Sequence, residues 1–327
     1  MSTTTPPRPP FDPELATVLD ALKDMNPVLS DDTLEQLRQL NADGVPGTQL
    51  PDLTLGGAVM VEDLTIPGPD GAPDLTLLVM RPATGTGPWP AIYFAHGGGM
   101  VMGTRRSQVE SYLPYITEIG AVVVSVEYRL APEHPDPAPV EDCYAGLVWT
   151  ANNAASLSID PARILIVGES AGGGLAAGTA LLARDRGFPT LTNQVLVYPM
   201  LDDRMETVSS QMLDREGTWD RNDNLYGWTA LLGDRRGGPD VLPYAAPARA
   251  QDLAGLPATF IDVGSAESFR DESIIFAQRL SEAGVSVEFH LWAGGFHVFD
   301  LMAPQAAVSR AMRSVRDQYI RRALTVT

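Results

Sequence analysis

Six short, mostly apolar runs recur down the chain: AIYFAHG at 91–97, AVVVSVEY at 121–128, RILIVGES at 163–170, QVLVYP at 194–199, ATFIDVG at 258–264 and VSVEFHLW at 285–292. A strand of that kind has to be covered on both sides, which is the condition of an interior strand in a parallel sheet. Helix-like segments separate the runs, at about 105–119, 138–155, 171–186 and 271–283, with a last one at about 304–323. The alternation predicts an α/β architecture with right-handed crossovers. Two further β-rich runs, AVMVEDLTI and LTLLVMRP, flank the turn GPDGAPD and read as an antiparallel hairpin, which brings the expected sheet to eight strands.

Two stretches break this rhythm. Residues 12–42 read as two helices, ELATVLDALKDM and SDDTLEQLRQLN, with Ser30 placed to N-cap the second and Leu34, Leu37 and Leu40 marking one face. Residues 201–250 carry Trp219, Tyr226 and Trp228 without a strand pattern and read as a helical insertion. An amphipathic helix pair too small to be a domain has to cover something apolar elsewhere. The expected organisation is therefore a tail and cap helices over 1–50, a catalytic body over 51–200 and 251–327, and a cap insertion over 201–250. The first ten residues, small, polar and Pro-rich, are expected to be a mobile tail.

Charge and cysteine usage exclude several functions. The chain's 327 residues include 23 Lys+Arg against 41 Asp+Glu, a formal net charge of −18, which opposes binding to nucleic acid or anionic lipid. Lys23 is the only lysine, so lysine chemistry has a single, N-terminal candidate. Cys143 is the only cysteine, which rules out an intrachain disulfide and a multi-cysteine metal site and fits a reducing, cytoplasmic setting. The N-terminus lacks the basic start and apolar run of a leader, and no stretch approaches the roughly 18 apolar residues of a spanning helix, so no membrane partner is expected.

The chemistry concentrates in three places. Gly168-Glu169-Ser170-Ala171-Gly172 stands between the strand RILIV and a helix of small residues, GGGLAAGTALLA. A serine in a sharp strand-to-helix turn is pushed outward, with glycines on both sides relieving the crowding and a helix N-terminus behind it favouring negative charge. His96-Gly97-Gly98-Gly99 follows the strand AIYFA, and its free backbone N–H groups, with that of Ala171, could form an oxyanion hole. No phosphate-loop signature accompanies these glycines, and His96 reads as a brace for the loop rather than as a base.

A serine hydroxyl needs a base, and the chain has four histidines: His96, His134, His290 and His297. In a Ser–acid–His order only His290 and His297 follow Ser170, and His297 is favoured because Gly294 and Gly295 let AGGFHVFD turn back toward the nucleophile. For the acid that orients the imidazole, Glu267 is best placed, three residues beyond Gly264 at the end of a strand, with Asp271 or Asp262 as the alternative.

HGGG, GESAGGG and the pair GSAESFRDE…AGGFHVFD together resemble the bacterial hormone-sensitive-lipase-like esterases of the α/β-hydrolase fold, and the resemblance runs from about Leu53 to the C-terminus. YRLAPEHP, VEDCYAGLVW, DPARI and YPMLDDR share the look of that family. The resemblance implies a nucleophile at Ser170, an acid at Glu267, a base at His297, oxyanion donors among Gly97, Gly98, Gly99 and Ala171, and a helical cap. It also implies dimerisation through the edge strand VSVEFHLW. Two departures stand out: Glu267 where the family more often has Asp, and Glu169 where Asp, Gln or Thr is usual. Arg129 and Glu133 are expected to form a structural ion pair behind the oxyanion loop.

The expected reaction is hydrolysis of a short- to medium-chain acyl ester through an acyl-enzyme, with no metal or organic cofactor. Met100 and Val101 beside the oxyanion loop, with Trp219, Tyr226 and Trp228 from the insertion, are expected to line an apolar acyl pocket. The same triad could open a lactone, carbonate, thioester or amide. From another class, the fold could serve as a noncatalytic small-molecule receptor.

Overall fold

The computed structural model describes residues 6–22, 28–43 and 50–325; Lys23 lies outside them. Its eight strands are β1 (Val59–Ile66), β2 (Leu75–Pro82), β3 (Trp89–Ala95), β4 (Val122–Glu127), β5 (Ile159–Glu169), β6 (Asn193–Val197), β7 (Ala258–Gly264) and β8 (Val287–Trp292). They form one sheet in the order β1-β2-β4-β3-β5-β6-β7-β8. β2 is antiparallel to both its neighbours, β1 and β4, and every other pairing is parallel. This is the α/β-hydrolase arrangement; six strands fall on the apolar runs and two on the hairpin, but β8, whose run reads as an interior strand, lies at the sheet edge with its residues only partly buried.

The helices are α1 (Pro13–Leu22), α2 (Leu34–Asp43), α3 (Leu113–Ile119), α4 (Ala138–Asn152), α5 (Ala171–Arg186), α6 (Val208–Met212), α7 (Arg221–Leu232), α8 (Arg270–Glu282), α9 (Phe299–Met302) and α10 (Ala307–Thr325). Among the described residues no helix is long and apolar enough to cross a membrane. The expected helix at 105–119 starts only at Leu113, because Arg105 and Arg106 are held in a turn by Asp63 and Glu127 from the hairpin and β4. Ser30 does not cap α2 through its side chain: its Oγ meets Thr33 Oγ1 at 3.0 Å while its carbonyl accepts Leu34 N–H.

Apolar side chains form a core on each face of the sheet. One joins Val122, Ile164, Ile166 and Leu175 to Trp219, Trp228 and Leu231, so the 201–250 segment shares the core of the body. The other joins Ile92, Phe94, Val195 and Phe260 to Phe296, Phe299 and Ile320. The two N-terminal helices divide between them, Leu29 and Leu34 packing in the first and Leu15 in the second. The chain just before α1 is anchored rather than free: Arg8 pairs with Glu216, Asp12 N–H donates to Gly294 O at 3.1 Å, and Phe11 stacks edge-on against Phe296.

Candidate active site

β5 delivers Ser170 to the C-terminal edge of the sheet, and α5 leaves from the next residue. Ser170 has φ 57° and ψ −121°, a conformation that an L residue adopts only under strain and only when its neighbours enforce it. They do so through the backbone: Ser170 N–H donates to Val197 O at 2.9 Å, and Ser170 O accepts from Met200 at 3.0 Å and Gly174 at 3.2 Å. The motif's glycines give this turn its room. A Cβ on Gly172 would fall 2.1 Å from Ala95 O, and one on Gly97 would fall 3.3 Å from Ser170 Cβ.

The structure brings Ser170, His297 and Glu267 together. Ser170 Oγ lies 2.8 Å from His297 Nε2, and His297 Nδ1 lies 3.2 Å from Glu267 Oε1. A carboxylate only accepts, so Nδ1 carries the proton and leaves Nε2 free to accept from the hydroxyl. Glu267 is buried, and its second oxygen accepts Gly264 N–H at 3.2 Å. The loops carrying Glu267 and His297 are tied by Ala266 N–H to Gly295 O at 2.9 Å and Ser265 N–H to Trp292 O at 2.8 Å. Ser170 keeps 5% of its surface exposed and His297 4%, which leaves the reacting edge reachable in an otherwise dry setting.

The alternatives lie elsewhere. His290, on β8, meets Glu288 at 3.1 Å and stacks on Trp292. Asp271 accepts Ser209 N–H, and Asp262 pairs with Arg316 at 3.1 Å.

The imidazole of His297 is walled by Tyr198 and Phe269, both edge-to-face with ring centroids at 4.9 and 5.0 Å, and Thr218 Oγ1 donates to its backbone carbonyl. Sequence reading missed these three. Tyr198 follows β6 directly at positive φ, which its place in YPMLDDR does not reveal.

Three carbonyls of the glycine loop are pinned away from the site. Gly97 O accepts His96 Nδ1–H at 2.8 Å, Gly98 O accepts the N–H groups of Val101 and Met102 at 3.1 and 3.0 Å, and His96 O accepts Tyr128 OH at 2.8 Å. In a planar trans peptide the N–H points opposite to the C=O, so holding the carbonyls of Gly97 and Gly98 turns the N–H groups of Gly98 and Gly99 the other way. Among the described residues no hydrogen bond is donated by the N–H of Gly97, Gly98, Gly99 or Ala171. His96 is buried, stacks on Tyr128 with centroids 4.2 Å apart, and has its basicity lowered by burial.

Of the five pocket candidates, Trp219 lies over the loop, with its Cη2 2.3 Å from where a Cβ on Gly99 would stand, and its ring 6.3 Å from that of His297. Met100 and Val101 are buried in the core beneath it, and Trp228 is buried in the same core. Tyr226 turns outward and donates to Asp31 at 2.7 Å, linking α7 to the segment before α2.

The expected Arg129–Glu133 pair does not form. Arg129 grips Asp142 at 2.8 and 2.6 Å, whereas Glu133 takes Arg38 of α2 at 2.8 and 2.7 Å, because α4 presents a buried carboxylate to Arg129 first.

Glu169, the unusual residue before Ser170, is buried with Oε1 accepting Tyr112 OH at 2.9 Å. Burial pushes its carboxyl up to about 7, with Arg316 opposing and Asp300 reinforcing.

A family model described as the alpha/beta hydrolase fold matches residues 92–301. The chain is 36% identical over 325 residues to the carboxylesterase NlhH of Mycobacterium tuberculosis, covering 94% of this chain and 95% of that one. It is 34% identical over 289 residues to the esterase LipI of the same organism, covering 86% of each. Among solved structures, a bacterial heroin esterase superposes with a TM-score of 0.87 at 40% identity, over 97% of this chain and 98% of that one. With the family match, the identity to these esterases and the sheet order in agreement, the chain belongs to the α/β-hydrolase fold family, among its bacterial hormone-sensitive-lipase-like esterases.

Proposed function

We propose that the chain hydrolyses short- to medium-chain carboxylic esters through an acyl-enzyme on Ser170. The observation that carries this reading is the continuous hydrogen-bond chain from Ser170 Oγ through His297 to Glu267 at a strained strand-to-helix turn. His297 Nε2 takes the hydroxyl proton as Oγ attacks the acyl carbon, and Glu267 holds the ring's tautomer and its positive charge. The oxyanion is received by N–H groups among Gly97, Gly98, Gly99 and Ala171, and losing one such donor raises the barrier by on the order of 3 kcal/mol. His297 then returns the proton to the leaving alcohol, and water repeats the cycle.

The 201–250 segment and α2 act in this reading as a cap over the acyl side, with Trp219 as the residue that limits its depth. The relatives named as esterases support the bond class. β8 lies at the edge of the sheet with Leu291 45% exposed, which supports pairing with a second copy of the chain. The buried, unreactive position of Cys143 fits a reducing compartment.

The test is hydrolysis of a chromogenic butyrate ester by the wild type and by Ser170→Ala, His297→Ala and Glu267→Gln. Turnover lost in the first two and sharply reduced in the third is the expected result. A folded wild type that turns over no ester would overturn the reading and direct a lactone, carbonate and amide panel, or a ligand-binding assay, at the same site.

A further inference from the structure

The glycine loop is held from outside by one side chain of α2. Arg38 Nε donates to Val101 O at 2.8 Å and Nη2 to Ala131 O at 3.0 Å, while Glu133 receives Nη1 and Nη2 at 2.8 and 2.7 Å. Ala131 N–H in turn donates to Met100 O at 2.9 Å. The carbonyls of Met100 and Val101 are thus fixed in succession, immediately after the turn in which Gly98 O accepts Val101 and Met102 N–H. Asn41, one turn along α2, donates to Met102 Sδ at 3.3 Å, and Leu34 packs in the same core as Met100 and Val101.

A planar guanidinium that serves two carbonyls and one carboxylate at once is fixed by all three, and a lysine ammonium has no matching fork. An exposed Arg–Glu pair alone would contribute little. Here the pair orients a donor whose remaining hydrogen bonds end on Val101 O, within the glycine-loop turn, and on Ala131 O, whose own N–H holds Met100 O. Displacements well below 1 Å matter there, since a misplacement of about 1 Å at a reacting centre costs on the order of a hundredfold in rate.

We propose that Arg38 is a positioning residue for acyl transfer: by clamping Val101 O and Ala131 O it fixes the turn that aims the loop's N–H groups at the developing oxyanion. The inference rests on the reading that this loop receives the oxyanion. It also makes α2 more than a cover.

The experiment compares wild type, Arg38→Met, Arg38→Lys and Glu133→Gln for kcat and KM on the butyrate ester. It also measures inhibition by a trifluoromethyl ketone, which forms an oxyanion on the serine, and by the matching methyl ketone, which binds without that charge. Arg38→Met is expected to lower kcat by about tenfold or more with KM changed less than about threefold. Affinity for the trifluoromethyl ketone should fall in parallel while that for the methyl ketone holds. Added methylguanidinium should restore part of the rate, Arg38→Lys less than half of it, and Glu133→Gln should give a smaller loss in the same direction. Rates within twofold of wild type, or losses that affect both ketones equally and resist methylguanidinium, would overturn the proposal. Should Arg38→Met fail to fold, the ketone pair decides on Glu133→Gln: weaker binding of the trifluoromethyl ketone alone supports the proposal, and unchanged or equally weakened binding of both ketones overturns it. A wild type that turns over no ester would instead remove the underlying reading.

Discussion

A Cβ on Gly168 would fall 1.9 Å from the carbonyl oxygen of Gly172, so the two glycines on either side of Ser170 can approach only because the first has no side chain. The obstacle is backbone, and it cannot rotate away. Gly168→Ala is expected to destabilise the protein by more than the roughly 1–3 kcal/mol of ordinary core overpacking. Soluble yield and a thermal melt read this directly, and a melt unchanged within a degree or two would contradict the tightness of the turn.

Glu267 uses both oxygens, one for His297 Nδ1–H and one for Gly264 N–H. Glu267→Gln keeps the volume but sets an amide N–H against one of those two donors, so kcat should fall by about 10²- to 10⁴-fold while the melting temperature changes little. Glu267→Asp, one methylene short of reaching both, should fall between the two. Full activity in Glu267→Gln would show that Glu267 does not orient His297 for catalysis.

Glu169 gives a pH dependence of stability with a definite sign. Its carboxyl is raised from the ordinary 4.5 to about 7 by burial, with Arg316 opposing, Asp300 and Glu110 adding to the rise, and Tyr112 OH favouring the charged form. The folded state therefore binds more protons than the unfolded one between those values, and stability falls as pH rises through that window. Glu169→Gln should flatten this decline and exceed wild type at pH 8 by on the order of 2 kcal/mol. Asp262, also pushed up to about 7 by burial, leaves a residual slope. Urea midpoints at pH 5, 6.5 and 8 measure it, and an unchanged slope would place the proton elsewhere.

Gly99 and Trp219 are coupled through space. With φ 62° and the indole Cη2 2.3 Å from its Cβ position, Gly99→Ala should cost both activity and stability. Trp219→Ala should widen acceptance toward longer acyl chains, and the double variant should recover part of what Gly99→Ala loses, leaving the strain of positive φ. Chain-length profiles of kcat/KM for the four proteins test this. Strict additivity would separate the two residues.

Most of the fold was legible because interior strands have to be apolar on both faces, and the mostly apolar runs mark all eight strands once the hairpin is included, although β8 lies at the sheet edge. Ser170, His297 and Glu267, the proposed nucleophile, base and acid, stood out because a sharp turn needs glycines, the chain has few histidines, and an orienting carboxylate was expected at a strand end. What stayed hidden were contacts set by tertiary approach. Nothing in the sequence pairs Arg38 with Glu133 across 95 positions while giving Arg129 to Asp142, since both choices satisfy the same charges. Tyr226 carried the look of a pocket aromatic, and only the orientation of α7 sends it to Asp31. The walls of His297, Tyr198 and Phe269, come from two different loops that converge only after the sheet is built.

The central claim is that Ser170, activated by His297, becomes acylated. Its most direct test is labelling with a fluorophosphonate followed by mass spectrometry of the digested protein. The account predicts one label per chain, on Ser170, with labelling slowed by orders of magnitude in His297→Ala and absent in Ser170→Ala. A label on another residue, or ester hydrolysis that persists in Ser170→Ala, would contradict it.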